Sequence, residues 1–312
     1  MRPNYLFPAK VVGGSTGSFV NACCRSRLKI LGIACAMASL WPGLFASDHS
    51  DVPQVNGVLR QDANLTDLHA FVVGQNLVLA LSSNPGIPKG AAGYIFPSDV
   101  TFEINLDNDS PVSPLDPNRL GGTILEPDRI QEDITFRVRF AADGQPEVRT
   151  FARGRPTAAP IANVFTGLRD DPFIRGPRIG RNVGAIVIEV PLATVLRNQS
   201  TLLIWATSKV DDVDGVFQDL AGRSLRSMMA ENSAMNAMHP RHQDRAMGVL
   251  PDVMIYNTAL PAVYPNGRAL TDDVVDAVGD VRVLNNDTPF PSANDVPFLS
   301  GFPYLAPPHP PQ

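Results

Sequence analysis

The chain has 312 residues, with 26 Lys and Arg against 31 Asp and Glu and a formal net charge of −5. That length bounds the fold at one large domain or two fused ones, and an acidic balance works against general binding to phosphate backbones, so no nucleic-acid partner is expected. No apolar stretch approaches the roughly 20 residues that a transmembrane helix needs, so the mature chain is expected to carry no membrane span.

The charge is distributed unevenly. Residues 1–46 hold Arg2, Lys10, Arg25, Arg27 and Lys29, no acid, and all the cysteines (Cys23, Cys24 and Cys35). Arg25 to Lys29, the apolar run Ile30 to Trp41, Pro42-Gly43 and the small Ala46 together read as a signal peptide, with residues 1–24 as an over-long start. Cys35 follows Gly-Ile-Ala and not a leucine-led motif, which ranks cleavage near Ala46 above a lipid anchor. Export to the periplasm or the outside follows. Removing those five bases leaves 21 against the 31 acids. The mature chain is then more acidic and free of cysteine, so its stability must come from a hydrophobic core and not from disulfides. Of its bases only Lys89 and Lys209 are lysines.

Cleavage after Ala46 would start the mature chain at Ser47-Asp48-His49. A free α-amine, two deprotonable amides and an imidazole at the third residue form a square-planar nitrogen set suited to Cu(II) or Ni(II). The same residues also read as a polar linker.

Leu68 to Val73 and Leu77 to Ser82 are apolar runs of strand length, bounded by Gly, Asn or Pro, and fit deeply buried strands. Val100, Phe102, Ile104 and Leu106 then alternate with Thr101, Glu103, Asn105 and Asp107, the period of a half-buried strand. Pleating puts Glu103, Asn105, Asp107 and, if the chain stays extended, Asp109 on one face. Several hard oxygen donors at close positions suit calcium. The EF-hand pattern fails, with Val112 at the turn glycine and Asn118 at the bidentate glutamate. The alternative is an Asx-rich turn with Glu103 facing Arg137 or Arg139 across the sheet.

Ile134, Phe136, Val138 and Phe140 alternate with Thr135, Arg137 and Arg139 in a second half-buried strand. Val183 to Val190 and Leu202 to Thr207 are further buried runs. Helices are expected over Leu192 to Arg197, over Ser224 to Met238, and briefly after Thr271, which is read as the cap of a turn rich in acids. Asp211-Asp-Val-Asp-Gly215 with Asp219 reads as a solvated acidic turn. Met228, Met229, Met235, Met238, Met247 and Met254 with His239 and His242 offer soft ligands for Cu(I), or core filling by flexible side chains. His69 reads as a satisfied structural residue. The tail from Asn285 carries eight prolines and Phe290, Val296, Phe298, Leu299 and Phe302, the composition of an extended strap lying on the domain and not of a disordered tail.

Short strands, long connections and 29 prolines give a mainly β fold. The expected architecture is an antiparallel β-sandwich with long Pro- and Asp-rich loops and a few short helices. Its parts are the signal peptide 1–46, a sandwich domain 47–284 and a Pro-rich strap 285–312. No nucleophile elbow, Walker loop or His-Glu-x-x-His is present, and the mature chain has no nucleophilic cysteine. A hydrolase reading would draw its acid and base from Asp170, Asp171, Asp211, Asp212 or Asp214.

Several segments in order resemble the bacterial exported proteins grouped as domain-of-unknown-function family 4331. They are Ser47 to Pro53, Asn64 to Val72, Phe102 to Asp109, Gly167 to Phe173, Ala185 to Pro191, Ile204 to Ser208, Tyr264 to Asp276 and Phe302 to His309. The resemblance implies export and brings no activity to named residues. The chain departs from the family at Ser110-Pro111, where members often have Gly-Asp, and at Ser47-Asp-His, where many begin Ser-Ser-His-Arg-Glu. The expected function is that of an exported, non-enzymatic protein binding a structural cation, calcium foremost, or a small ligand. The periplasmic hydrolase and a copper-handling protein are the alternatives.

Overall fold

The computed structural model describes residues 60–114, 121–158, 160–174, 179–210, 218–224, 230–278 and 292–311. The chain divides into Met1–Gly43 and Leu44–Gln312, and every described residue belongs to the second unit. Its strands are β1 (Leu65–Val73), β2 (Asn76–Ser83), β3 (Val100–Asp107), β4 (Val112–Ser113), β5 (Thr123–Ile124), β6 (Ile134–Phe140) and β7 (Pro146–Ala152). They continue with β8 (Arg155–Thr157), β9 (Asn163–Asp170), β10 (Asn182–Pro191), β11 (Thr201–Val210), β12 (Gln218–Ala221) and β13 (Met254–Asn257). The α-helices among the described residues are short: α1 (Leu192–Val195), α2 (Pro240–Met247) and α3 (Val274–Val278).

The fold is a mainly β, antiparallel sandwich. A small sheet runs in the order β1-β2-β10-β9, and a larger one runs β12-β11-β3-β6-β7-β8, with β13 sharing the β11 edge with β12. Phe102, Ile104 and Leu106 of β3 and Phe136 and Val138 of β6 are buried in one cluster with Leu77, Leu79 and Leu81 of β2 and Ile186, Ile188 and Val190 of β10. Alternation along each strand thus supplies the inner faces of both sheets.

The strands that read as unbroken apolar runs are covered on their second face too. Leu203 and Trp205 of β11 pack with Ile124, Ile130, Leu220, Val253 and Ile255. On the small sheet, Val78, Ala80, Ala185 and Val187 pack under Leu270 and Leu305, flanked by Phe298, Phe302 and Tyr304. Burial on both faces is why β2, β10 and β11 show no polar alternation.

The helices differ from expectation in detail. Leu192 to Arg197 forms only the single turn of α1, and the described part of Ser224 to Met238 is a 3-10 segment, Ala230–Ala237. Helix α2 was not foreseen because its sequence is almost wholly polar. His239 caps it, its Nδ1 accepting from the Arg241 amide at 3.1 Å, and Gly248 ends it at φ 66°. The short helix after Thr271 begins at Val274, and its cap is Asp273, not Thr271, because Asp273 Oδ1 accepts from the Asp276 amide at 3.1 Å. Thr271 lies a turn too early; the intervening Asp272 instead accepts from the Tyr264 and Ala269 amides at 2.9 and 2.8 Å.

The outer face of the small sheet carries a buried polar row. Arg268 and Asp67 form an ion pair at 2.7 Å with both side chains 1% exposed. Arg268 reaches this place because its amide and carbonyl pair with Ala70 of β1, a close approach that Gly267 permits: at φ 68° an added Cβ would lie 2.9 Å from the Ala70 carbonyl. His69, beside this pair, is fully buried and neither ring nitrogen has a hydrogen-bond partner among the described residues, so it is structural without being satisfied. Burial, reinforced by the Arg268 charge, holds its pKa well below 6.5. The native state therefore keeps His69 neutral while the unfolded chain takes up a proton as pH falls through its ordinary pKa. Stability associated with this group is constant above that value and declines below it, by about 2 kcal/mol between pH 7 and pH 5. Urea unfolding of wild type and His69→Leu at the two pH values checks this: the variant should lose about 2 kcal/mol less than wild type, and parallel losses would refute the assignment.

Candidate metal centre

The structure separates the residues that the sequence placed on one face of β3. Glu103 stands opposite Arg137 in the ladder and accepts from its Nε at 2.7 Å, while the same guanidinium lies 4.3 Å over the Phe151 ring. Asn105 stands opposite Thr135 and accepts from its hydroxyl at 2.8 Å. Both line an open polar groove of about 520 Å³ with Arg137, Phe151 and Arg153. Asp107 and Asp109 turn away from that groove and meet Asp133.

This second acidic group is already supplied with donors. Asp107 accepts from the Asp109, Ser110 and Gln131 amides at 3.1, 2.8 and 3.0 Å and from the Ser110 hydroxyl at 2.6 Å. Burial raises its pKa, and the Ser110, Gln131 and Asp109 donors oppose the rise. Asp109 Oδ2 lies 2.7 Å from Arg153 and 2.7 Å from Arg197, and Asp133 accepts from Arg153 Nε at 2.8 Å. Two guanidiniums supply the neutralisation that the calcium reading assigned to an ion, and the loop has the hydrogen bonds of an Asx turn.

A different group assembles where the end of β9 meets the chain terminus. Asp170, the last residue of β9, has a side chain 0% exposed, and His309 Nε2 lies 2.9 Å from its Oδ1. The same Nε2 lies 3.2 Å from Asp295 Oδ2. Despite the short separation, Asp170 Oδ1 and His309 Nε2 make no hydrogen bond of acceptable geometry with any described residue, although both atoms are buried. One ligand atom from each of Asp170, Asp295 and His309 falls within 4.8 Å of the other two.

The surroundings fix each ligand. Asn294 Nδ2 donates to Asp170 Oδ2 at 2.6 Å and to the Val296 carbonyl at 2.8 Å. The Gly180 amide donates to Asp295 Oδ2 at 2.7 Å. Asn182, paired with Asp170 in the β9–β10 ladder, accepts from the His309 amide at 2.8 Å and donates to its carbonyl at 3.2 Å. Burial pushes the Asp170 carboxyl up to about 8, with the Asn294 bond opposing and the Asp295 and Asp171 charges adding to the rise. Ligands bound to one ion at about 2.0–2.2 Å stand roughly 3–3.5 Å apart, the spacing found here, and ligands oriented by a second layer of hydrogen bonds are typical of metal sites.

Of the carboxylates assigned to hydrolysis, Asp170 belongs to this group, and Asp171 is buried and accepts from the Phe173 amide at 3.1 Å. Asp211, Asp212 and Asp214 lie outside the described residues, as do Ser47, Asp48 and His49. Met235 and Met254 are buried, and His239 Nε2 lies 2.7 Å from Glu132. Sequence reasoning did not single out Asp295 or His309.

Truncating Asp107 strands three amides and a hydroxyl in a buried turn. Asp107→Ala should cost about 3 kcal/mol in denaturant unfolding, against about 1 kcal/mol or less for the half-exposed Asp109→Ala. Equal costs would show that the turn does not depend on Asp107. Comparison with protein-family models, curated proteins and solved structures returns no significant match for this chain.

Proposed function

We propose that this is an exported, non-enzymatic β-sandwich protein that binds a divalent cation at Asp170, Asp295 and His309. The observation that carries the reading is the pair of buried, unbonded donor atoms, Asp170 Oδ1 and His309 Nε2, facing each other at 2.9 Å. A buried carboxylate oxygen without a donor is costly, and a cation is the partner that satisfies it together with an imidazole lone pair. Export rests on the signal-peptide pattern of residues 1–46 and on the resemblance to exported proteins of unknown function. No helix among the described residues is long and apolar enough to cross a membrane.

Elemental analysis of protein processed by its own host and purified without chelators should find one divalent ion per chain. Mass action then predicts a gain of about 2.7 kcal/mol at an ion concentration one hundred times Kd. His309→Gln and Asp170→Asn should abolish both the bound ion and the thermal shift, while Asp109→Ala keeps them. A metal-free protein whose melting is the same in chelator and in added metal would end this reading.

A further inference from the structure

The three ligands divide in a telling way between a rigid strand and a mobile composition. Asp170 ends β9, whereas Asp295 and His309 stand at the two ends of the described C-terminal segment, residues 292–311. Between those ends the segment crosses the outer face of the small sheet, with Leu305 buried against Val78, Ala80, Ala185 and Val187 and with Phe298, Phe302 and Tyr304 beside it. Its own backbone bonds are local turns, Leu299 to Tyr304, Tyr304 to Gly301 and Leu305 to Pro303, each at 2.8 Å. It forms no strand and adds no ladder to the sheet. Its polar ties to the domain gather at its feet, around Asp170, Gly180 and Asn182; Tyr304, whose hydroxyl lies 3.3 Å from Glu189, is the tie at mid-span.

We infer that the ion is a first-row transition metal and that it staples both feet of the 292–311 strap to the end of β9, so that metal occupancy sets whether the apolar outer face of the small sheet stays covered. The inference rests on the cation reading above and goes further in naming the metal class and its consequence. The class follows from the donors: an imidazole nitrogen with carboxylates suits zinc, manganese, iron or cobalt, whereas calcium and magnesium take oxygen donors almost alone. The consequence follows from the connectivity. Removing the ion takes away the bridge that joins both feet to β9 and leaves the feet to hydrogen bonds from Asn182, Asn294 and Gly180, a weaker fastening that opens locally more often. Because the strap has no ladder to hold its middle, release at the feet uncovers Val78, Ala80, Ala185 and Val187.

The test uses the full mature chain. Samples stripped with chelator and samples reloaded with Zn²⁺, Co²⁺ or Ca²⁺ are assayed for bound metal, and each is exposed to chymotrypsin, which cuts after Phe298 and Tyr304 when they are free, the Phe302–Pro303 bond being resistant. Zn²⁺ and Co²⁺ should bind at one per chain and slow cleavage within the strap at least tenfold relative to stripped protein, Ca²⁺ should do neither, and Co²⁺ should give a visible d–d band. His309→Gln, cut at the stripped rate whichever ion is added, should lose that band. Stoichiometric Zn²⁺ with an unchanged strap cleavage rate overturns the staple and leaves the cation site standing. Protection by Ca²⁺ equal to that by Zn²⁺ overturns the metal class. Absence of bound metal in every sample removes the site and the staple together.

Discussion

A four-stranded sheet whose two central strands, β2 and β10, are apolar on both faces needs two covers, and that constraint organises this molecule. The large sheet covers one face of the small sheet through Phe102, Phe136 and their neighbours. The second face falls to Leu270 and to a Pro-rich segment carrying Leu305, Phe298, Phe302 and Tyr304. Proline lacks the amide that a ladder requires, so such a segment cannot be held as an extra strand and depends on side-chain packing and on its ends. The candidate metal centre sits where those ends are fastened, which makes the position of the site a consequence of how the sheet is covered.

The protein's other buried carboxylates show which partners this fold supplies to such groups. Glu189 receives Asn76 at 2.9 Å and Asn163 at 2.7 Å, Asp107 receives four donors, and Asp67 is paired with Arg268 at 2.7 Å. Arginine does much of this neutralising, as its planar fork suits it to do. Asp170 has Asn294 on Oδ2 and a backbone hydrogen bond from Asp171. Asp170 Oδ1 lies 2.9 Å from His309 Nε2 and makes no hydrogen bond of acceptable geometry with a described residue. The Asp295 and Asp171 charges add to the rise in the Asp170 pKa. On the reading proposed above, a metal ion plays for Asp170 the part that Arg268 plays for Asp67.

How much of this the sequence disclosed depended on whether the signal was local. The six strands with period-two alternation or unbroken apolar runs were legible, and so was the sandwich, because those patterns report burial directly. Strand β9 was not, since its side chains are half-exposed along most of its length and Gly167 interrupts it; β7 and the short edge strand β8 are at least as exposed. The Glu103 to Asp109 run was visible as a contiguous acidic face, and its local alternatives were correctly framed: Glu103 does meet Arg137, and Asp107 does make the turn. What the run could not disclose was Arg153 and Arg197, which arrive from other elements to neutralise Asp109. The Asp170, Asp295 and His309 group had no local signature at all. Two of its members fall in segments on which the resemblance to family 4331 was read, Gly167 to Phe173 and Phe302 to His309, and Asp295 had no such hint.

The energetics of the centre tie its chemistry back to the fold. Holding Asp170 in a site with too few donors destabilises the metal-free chain, and the sandwich core must carry that cost. The Asn182 clamp sharpens the point: by fixing the His309 backbone through two hydrogen bonds that do not involve the imidazole, it orients the ring before any ion arrives. Preorganisation of this kind lowers the ordering cost of coordination, and relief of the buried carboxylate adds to the gain. Folding free energy and metal affinity are then two sides of one quantity, with the strap as the part of the structure where their balance is felt.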